Sequence, residues 1–198
     1  MSYYSREVRR QMILETAVNV AYQDGLSAMT VRRIAQETQI AIGQIHHHFS
    51  TVGELRSEAF KLSVDQALNL LVEEGLKESA SCLQMLNWCL FTGNNEEAHK
   101  YSKLWKEADV ISFHDENMCD AIRQVTKAWH TTIVNLLEKG ALHSEFKYDR
   151  PKELIAWDFI AYSHGLDGIF TLGLEGFGQK EYRKNTQAFI RSQIEIIT

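Results

Sequence analysis

Residues that interrupt helices are scarce in this sequence. Only one proline occurs among 198 residues, and the eleven glycines are concentrated in a few places. The alternation of β-branched and polar residues that is typical of half-buried strands is missing as well. These absences argue against a β-sheet protein, and a hydrophobic content of 44% is enough to fill a core. We therefore predict an all-α fold.

Cysteines are too few and too irregularly spaced to form a disulfide framework. The three of them, Cys82, Cys89 and Cys119, are an odd number, and the first ten residues lack the apolar centre of a signal peptide. We expect a cytoplasmic protein in which the cysteines are small buried hydrophobic residues and not redox switches. The most apolar run, 154–174, contains two aspartates and a histidine, which predicts a buried helix of a soluble protein and not a membrane span.

Motifs for catalysis or cofactor binding are also missing. HExxH, GxSxG and Walker sequences do not occur, and the acidic residues are scattered through the predicted helices. The glycine-rich run 173–178 lacks the glycine order and the preceding strand of a nucleotide-binding fingerprint, so we interpret it as a helix break. Three consecutive histidines, 46–48, would fan out by about 100° each along a helix and could not close on one metal ion. We expect no enzyme activity, no catalytic residue, no cofactor and no metal.

A strong excess of basic charge is the last feature that the sequence lacks. The net charge is −5, but residues 1–50 contain five arginines and four acidic residues, so this segment carries +1 and the remainder −6. The N-terminal segment is therefore the only plausible binding surface for a polyanion. Backbone amides, polar side chains and histidines would have to supply part of the contact.

The most informative pattern is residues 30–49, TVRRIAQETQIAIGQIHHHF. Thr30 is a typical helix-start residue, and apolar residues follow it at helical spacing in two groups separated by a short interruption. We predict two short helices joined by a tight turn. On the second helix one face should hold Ile42, Ile45 and Phe49, with His46 on the flank. The residues that should face outward are Gly43, Gln44, His47 and His48. This layout is that of a helix-turn-helix whose second helix lies in the major groove.

From about Ile13 to Leu55 the chain resembles the DNA-binding domain of the tetracycline-repressor (TetR) family. The positions that match the family signature are Thr30, Val31, Ile34, Ala35, Gly43, Ile45 and Phe49. The resemblance implies that His46 and His48 contact phosphate, that His47 faces the bases and that Gly43 allows close approach. We assign Thr30, Arg32 and Gln44 to DNA binding as well, together with these three histidines and Gly43.

Two further features of the N-terminal segment bear on phosphate contacts. The resemblance places the start of the first helix near the DNA backbone, where Arg6, Arg9 and Arg10 cluster, although such a cluster is as often a solvated face. Family members usually have a lysine and then an acidic residue after the cap of the fourth helix. Here Val52 and Gly53 replace them, so one phosphate contact is in doubt.

The rest of the chain reads as a series of helices with recognised breakers between them. The first helix should span 6–24, with an apolar stripe of Ile13, Ala17, Val20 and Ala21. The capping-box pattern Thr51-Glu54 should begin a connecting helix that runs to about Gly75. The later helices should span about 78–92, 96–111, 115–139, 151–172 and 180–198, interrupted at Gly93-Asn94-Asn95, at Gly140 and before Pro151.

Surplus apolar surface predicts a homodimer. The helix 151–172 is apolar on most sides, and the helix 180–198 carries Tyr182, Phe189, Ile190, Ile194 and Ile197. An intersubunit four-helix bundle would bury both, and the TetR resemblance implies the same arrangement with a two-fold axis that matches a palindromic operator.

The predicted sensing helices interleave aromatic and acidic residues. Trp105 and Asp109 share a helix face at i, i+4, and Asp158 and Tyr162 do so in a helix that should line the interior. With Trp129, these residues are our candidate ligand site. Because an unpaired inward carboxylate is costly, a lipophilic organic cation would be a suitable inducer.

We therefore interpret the chain as a ligand-responsive repressor. A helix-turn-helix domain of residues 1–50 would bind operator DNA, and a helical domain of residues 51–198 would bind a small-molecule inducer and dimerise. Two alternatives remain open at this stage. One is a DNA-binding or nucleoid protein that needs no ligand, and the other is a helical enzyme without a recognised motif.

Overall fold

The computed structural model of the chain is built almost entirely of helices. Over the residues that the structure describes, 5–90 and 96–197, with residues 96–98 described by their backbone alone, there are nine α-helices, one short 3-10 turn and two strands of two residues each. The predicted all-α fold is confirmed. The elements in chain order are α1 (Arg6–Asp24), the 3-10 turn Leu26–Ala28, α2 (Val31–Thr38), α3 (Ile42–His48), α4 (Val52–Lys77), α5 (Cys82–Leu90), α6 (Glu96–Ser112), α7 (Glu116–Leu142), β1 (Phe146–Lys147), α8 (Lys152–Thr171), α9 (Gln179–Gln193) and β2 (Glu195–Ile196).

The N-terminal helices begin where the sequence supplies capping side chains. The hydroxyl of Ser5 accepts a hydrogen bond from the backbone N–H of Val8 at 3.2 Å, which starts α1. At α4 the hydroxyl of Thr51 accepts from the N–H of Glu54 at 3.0 Å, as a capping box requires. The Glu54 carboxylate reaches back one residue further than expected and accepts from the N–H of Ser50 at 2.7 Å.

The helices form two compact units. The first combines the chain up to Gln66 with Lys100–Val125. All four residues of the apolar stripe that we predicted on α1 are buried in it. Residues from α6 belong to the same unit, because Trp105 packs its ring edge-on against Phe60 with 5.1 Å between ring centroids. The stripe and the α6 aromatic therefore contribute to one core.

The second unit comprises Ala67–His99 and the chain from Thr126 onward. Its core is a continuous cluster from α5, α7, α8 and α9 that includes Leu86, Ile133, Leu137, Phe159 and Ile190. The two short strands pair antiparallel in this unit, with Phe146 opposite Ile196 and Lys147 opposite Glu195. We did not predict these strands, because two residues are too few to show an alternating pattern.

The predicted end of α7 at Gly140 is wrong. The helix continues through this glycine to Leu142, and the chain then turns at Ser144, whose φ of 58° is left-handed. A Cβ atom at position 140 would overlap the ring of Phe146. The glycine is thus required for close packing, not for ending the helix.

Two other boundaries differ from prediction. Helix α4 extends to Lys77, and the chain reverses at Ser79 (φ 50°), so α5 begins at Cys82 and not near residue 78. The Ser81 hydroxyl caps α5 by accepting from the N–H of Gln84 at 3.1 Å. Helix α9 ends at Gln193 because the residues after it extend to form β2. The predicted break at 93–95 lies outside the described residues.

Helix α8 has one buried side and one exposed apolar side. Ile155, Phe159 and Leu166 are buried, whereas Leu154, Trp157 and Ile169 on the opposite side are exposed, as is Leu172 just after the helix. The apolar residues of the last predicted helix differ from our expectation, since Tyr182 and Ile190 of α9 and the following Ile194 are buried within the chain itself. Among the described residues, no helix combines the length and the apolar character needed to cross a bilayer.

Candidate nucleic-acid interface

Helices α2 and α3 are joined by a turn of only three residues. The hydroxyl of Thr30 caps α2 by accepting from the N–H of Arg33 at 3.2 Å. Helix α2 ends at Thr38, and the next residue, Gln39, reverses the chain with a left-handed φ of 56°. The Thr38 hydroxyl donates to the carbonyl of Ile34 at 2.6 Å and so closes the last turn. Two short helices with so short a connection form a helix-turn-helix.

Helix α3 is anchored by its fourth residue, Ile45, and by Phe49, which directly follows the helix. Ile45 and Phe49 are fully buried, as predicted. Ile42, which we expected on the same buried face, is 48% exposed. It is the first residue of a seven-residue helix, so its side chain projects at the open end of α3, where the turn leaves it uncovered.

The outward face of α3 carries most of the predicted DNA-contacting residues. Gly43, Gln44, His46 and His47 are exposed, and a Cβ atom at position 43 would meet nothing within 4 Å. His46 was predicted on the flank but is exposed, whereas His48 was predicted outward but is half-buried. Gly43 serves no internal packing, which leaves room for a partner surface at this point.

His48 lies in a positive environment. Partial burial lowers the pKa of His48, and the nearby charges of His47, Arg6, Arg9 and Arg10 lower it further. The arginine cluster at the start of α1 is therefore close enough to α3 to act on its last histidine. The sequence could not reveal this approach, because the two segments are more than thirty residues apart. The arginines at the start of α1 and the histidines at the end of α3 together form one basic surface.

The five N-terminal arginines fall into two groups. Arg10 lies over the ring of Phe49, 4.8 Å from its centroid, and forms an ion pair with Glu58 at 3.6 Å. Arg33 forms ion pairs with Asp24 and Glu37. These two are engaged by their own chain. Within the described part of the chain, no ion pair involves the other three, Arg6, Arg9 and Arg32.

Thr30 can both cap α2 and contact DNA. Its hydroxyl oxygen accepts the N–H of Arg33, which leaves the hydroxyl hydrogen free to donate. The departure from the family pattern at Gly53 has a local reason. Gly53 is buried, and a Cβ atom there would lie 2.5 Å from Oδ2 of Asp115. The other oxygen of that carboxylate caps α7 by accepting from the N–H of Asn117 at 3.0 Å.

The residues that we predicted to bind a ligand are divided between the two units. Trp105 and Asp109 belong to the first unit, where Trp105 is buried and Asp109 is exposed. Trp129, Asp158 and Tyr162 belong to the second unit. There Trp129 packs edge-on against His164 with 5.4 Å between ring centroids, and the Tyr162 ring stacks on that of Phe189 at 3.8 Å.

Asp158 is not the inward, unpaired carboxylate that we predicted. Its side chain is 41% exposed, and the carboxylate forms an ion pair with Arg150 at 2.8 Å. Arg150 precedes Pro151 at the start of α8, and it also donates to the side-chain oxygen of Gln193 at 2.7 Å. The sequence did not suggest this pairing, because the two charges are eight residues apart across the helix start.

The second unit also contains an open cavity of about 550 Å³. Its walls come from the segment after α8 and from His99, whose ring stacks on Phe170 with 6.2 Å between centroids. The apolar lining is formed by Phe170, Leu174 and Phe177. None of the five predicted ligand residues lines this cavity.

The cysteines are poor candidates for redox chemistry. Burial raises the pKa of the Cys89 thiol to about 12. Burial and the neighbouring Glu145 carboxylate also raise the pKa of Cys82. A reactive cysteine needs the opposite shift, toward the thiolate, so the prediction that these two are not redox switches still stands.

Comparisons with known proteins find similarity to bacterial transcriptional regulators. Residues 13–59 match the family described as "Bacterial regulatory proteins, tetR family". The HTH-type transcriptional regulator PksA of Bacillus subtilis (strain 168) is 24% identical over 161 residues, which cover 81% of this chain and 77% of PksA. The HTH-type transcriptional repressor KstR2 of Mycolicibacterium smegmatis is 23% identical over 154 residues, covering 74% and 72% of the two chains.

Solved structures share the fold along nearly the whole chain. A putative TetR-family transcriptional regulator from Rhodococcus sp. superposes with a TM-score of 0.77 at 20% identity, covering 94% of this chain and 98% of its own. A putative transcriptional regulator from Saccharomonospora viridis, solved in complex with choline, has a TM-score of 0.76 at 22% identity and covers 96% and 100%. With the helix-turn-helix geometry and the family match, these likenesses lead to one conclusion. Residues 13–59 carry a DNA-binding domain of the TetR family, within a chain that resembles bacterial transcriptional regulators along most of its length.

Proposed function

We propose that this protein is a homodimeric transcriptional repressor that is released from a palindromic operator by a small-molecule inducer. In this proposal residues 1–50 bind DNA, and residues 51–198 bind the inducer and dimerise. The observation that carries the proposal is the outward face of α3. Four predicted contact residues are exposed there, and one of them, Gly43, has open space around its Cα.

The DNA-binding part of the proposal assigns a role to each exposed group. Gln44 and His47 would read base edges in the major groove, since an amide or an imidazole can donate to and accept from them. Phosphate contacts would come from His46, His48, the Thr30 hydroxyl and Arg32, supported by the arginines at the start of α1. Because the chain offers few free cations here, we expect a shallow salt dependence compared with strongly basic repressors.

The dimer would form through the exposed apolar side of α8. Bulky side chains occupy its two ends, and the small Gly165 and Gly168 lie between them with nothing within 4 Å of a Cβ atom at either position. Small residues at the centre of such a face allow two helices to approach closely. Helix α9 would contribute its exposed side, since its larger apolar residues are already buried within the chain.

The dimer can be tested with a bulky substitution that has no internal neighbour. Gly165→Trp should leave the helical content unchanged, because the position is open, and should shift the protein from dimer to monomer in analytical ultracentrifugation. The control is Asn135→Trp, at an exposed position of α7. If Gly165→Trp remains as dimeric as the control, α8 does not form the interface.

We further propose that the inducer is a lipophilic organic cation. Aromatic rings are frequent in the second unit, and each face offered to a cation contributes about 0.5 to 2 kcal/mol. The structural relative from Saccharomonospora viridis is a complex with choline, a quaternary ammonium compound. Asp158 is an anionic partner for such a ligand only if the ligand displaces Arg150 from it.

This competition between Arg150 and the ligand makes the inducer proposal testable. If Asp158 holds the cation, Arg150→Ala should increase the thermal shift and the operator release caused by quaternary ammonium compounds, and Asp158→Asn should reduce both. Asp109→Asn extends the same test to the carboxylate of the first unit. Lys152→Ala, which removes the partner of a similar exposed ion pair with Glu138 at 3.0 Å, is the matched control.

The experiment also separates the remaining alternatives. A response only to carboxylates or acyl thioesters, or a cation response that is the same in all these variants, would contradict the cationic inducer while leaving the repressor intact. Operator binding that no compound class alters would favour a DNA-binding protein that acts without a ligand.

A further inference from the structure

Three side chains that commonly bind transition metals meet in the second unit, outside the surfaces described above. They are Cys82, His143 and Glu145, whose ligand atoms all lie within 4.8 Å of one another. Cys82 is the first residue of α5, and the other two belong to the turn that follows α7. No spacing in the sequence suggests this group, because more than sixty residues separate its two parts.

The turn that carries His143 and Glu145 is held by backbone hydrogen bonds. The N–H of His143 donates to the carbonyl of Lys139 at 2.9 Å, and the N–H of Glu145 donates to the carbonyl of Gly140 at 2.9 Å. The carbonyl of Glu145 accepts from the N–H of Ile197 at 3.0 Å, next to the β1–β2 pair. The backbone that presents the two side chains is therefore fixed before any ion binds.

The Glu145 carboxylate is oriented by the start of α5. One of its oxygens accepts from the N–H of Cys82 and the other from the N–H of Leu83, both at 3.0 Å. Each carboxylate oxygen has two acceptor positions, so each keeps one that can bind a metal. Backbone hydrogen bonds of this kind orient metal-binding carboxylates in known sites. The cap on α5 and a metal ligand are thus compatible roles for the same group.

We propose that Cys82, His143 and Glu145 form a binding site for a zinc-class divalent ion. A sulfur, an imidazole nitrogen and a carboxylate oxygen are the donor types that Zn²⁺ uses, with water in the fourth position when the protein supplies three. Mg²⁺ and Ca²⁺ prefer oxygen donors alone. On binding, the thiol of Cys82 gives its proton to solvent and a sulfur–zinc bond forms, with no change of oxidation state.

The distances require only a small adjustment. Bond lengths of about 2.0 to 2.3 Å around a tetrahedral ion place its ligand atoms about 3.3 to 3.8 Å apart. Any pair of ligand atoms that lies at the 4.8 Å limit therefore has to close by about 1 Å, which small rotamer adjustments of the three side chains can supply. His143 is exposed, whereas Cys82 is only 8% exposed, so the ion would enter from the histidine side.

Cobalt is a suitable probe because Co²⁺ occupies zinc sites and reports its ligands by absorption. The full-length protein should be reduced, freed of metal and titrated with Co²⁺. We expect a thiolate-to-cobalt charge-transfer band in the near ultraviolet and visible bands of tetrahedral intensity, saturating at one ion per chain. Zn²⁺ added afterwards should displace Co²⁺ and so remove both the charge-transfer band and the visible bands. Weak binding at the histidines of α3 would give neither the thiolate band nor tetrahedral intensity.

Matched variants test the assignment of Cys82 and His143 as ligands. Cys82→Ser should abolish the charge-transfer band, and His143→Ala should weaken Co²⁺ binding at least about tenfold without unfolding the protein, because the residue is exposed. Cys119→Ser and His114→Ala are the controls and should behave as the parent. Circular dichroism of each variant separates loss of a ligand from loss of the fold.

Three results would overturn the proposal. The first is the absence of a thiolate band at saturating Co²⁺ in the parent protein. The second is a band that persists in Cys82→Ser, and the third is a Co²⁺ affinity that His143→Ala leaves unchanged.

Discussion

Gly43 offers the sharpest separation between the stability of the fold and the binding of DNA. It is the second residue of α3, and a Cβ atom there would meet nothing within 4 Å. Glycine within a helix is less stable than alanine by about 0.8 to 1 kcal/mol. Position 43 is in the first turn of a short helix, so we expect roughly half of this gain. Gly43→Ala should raise the melting temperature by about 1 to 2 °C.

The same substitution should weaken operator binding. If α3 lies in the major groove with its backbone close to the DNA, the added methyl group enters a contact that is already packed. Overpacking of this kind costs about 1 to 3 kcal/mol, which corresponds to a dissociation constant about 5 to 150 times larger. Gly43→Val should have the larger effect on binding while it loses the gain in stability, because a β-branched residue is a weaker helix former.

The assay requires an operator, which can be selected from a random pool of duplex DNA. Fluorescence anisotropy at fixed salt would then compare the parent with both variants and with Gln124→Ala, an exposed position on α7. Unchanged operator affinity in Gly43→Ala would refute the placement of α3 against DNA. A lower melting temperature in Gly43→Ala would instead refute the open environment of residue 43.

Three further predictions follow from the same structure. Gln44→Ala and His47→Ala should each weaken operator binding by about 1 to 3 kcal/mol at unchanged melting temperature, as measured by anisotropy and thermal denaturation. Operator affinity should rise as the pH falls from about 8 to 6, because phosphate would raise the pKa of His48, which is lowered in the free protein, and DNA binding would then take up a proton. His48→Gln should flatten part of this slope. An affinity of the parent protein that is flat over this pH range contradicts the proton linkage. Glu107→Ala should lower the free energy of unfolding by about 1 to 2 kcal/mol, since its carboxylate accepts the N–H of Ser27 at 3.2 Å, and Glu107→Gln should recover part of the loss in denaturant titrations.

The parts of the fold that were predicted well have local causes. The first helix was predicted at 6–24 and is Arg6–Asp24, because a serine cap begins it and Gly25, with a φ of 95°, ends it. Thr30 likewise fixes the start of α2. Capping and apolar spacing act within a few residues, so the sequence displays them directly.

The parts that were missed depend on distant residues. Gly140 looked like a helix end, but the Phe146 ring that packs on it makes it an interior helical residue. Ile42 has the spacing of a core residue, yet α3 is too short to cover it. The ion pair between Arg150 and Asp158 and the capping of α5 by Glu145 are tertiary contacts that no periodicity predicts.

The central claim is that α3 reads a palindromic operator in the major groove, and a hydroxyl-radical footprint tests it most directly. The footprint should use the DNA that flanks the gene of this protein or a selected duplex, with the parent protein and the Gln44→Ala/His47→Ala double variant. We predict two protected half-sites related by a dyad, with centres about 34 to 36 Å or a multiple of that distance apart, and loss of this protection in the double variant. Protection without two-fold symmetry, or protection that the double variant retains, would contradict the account.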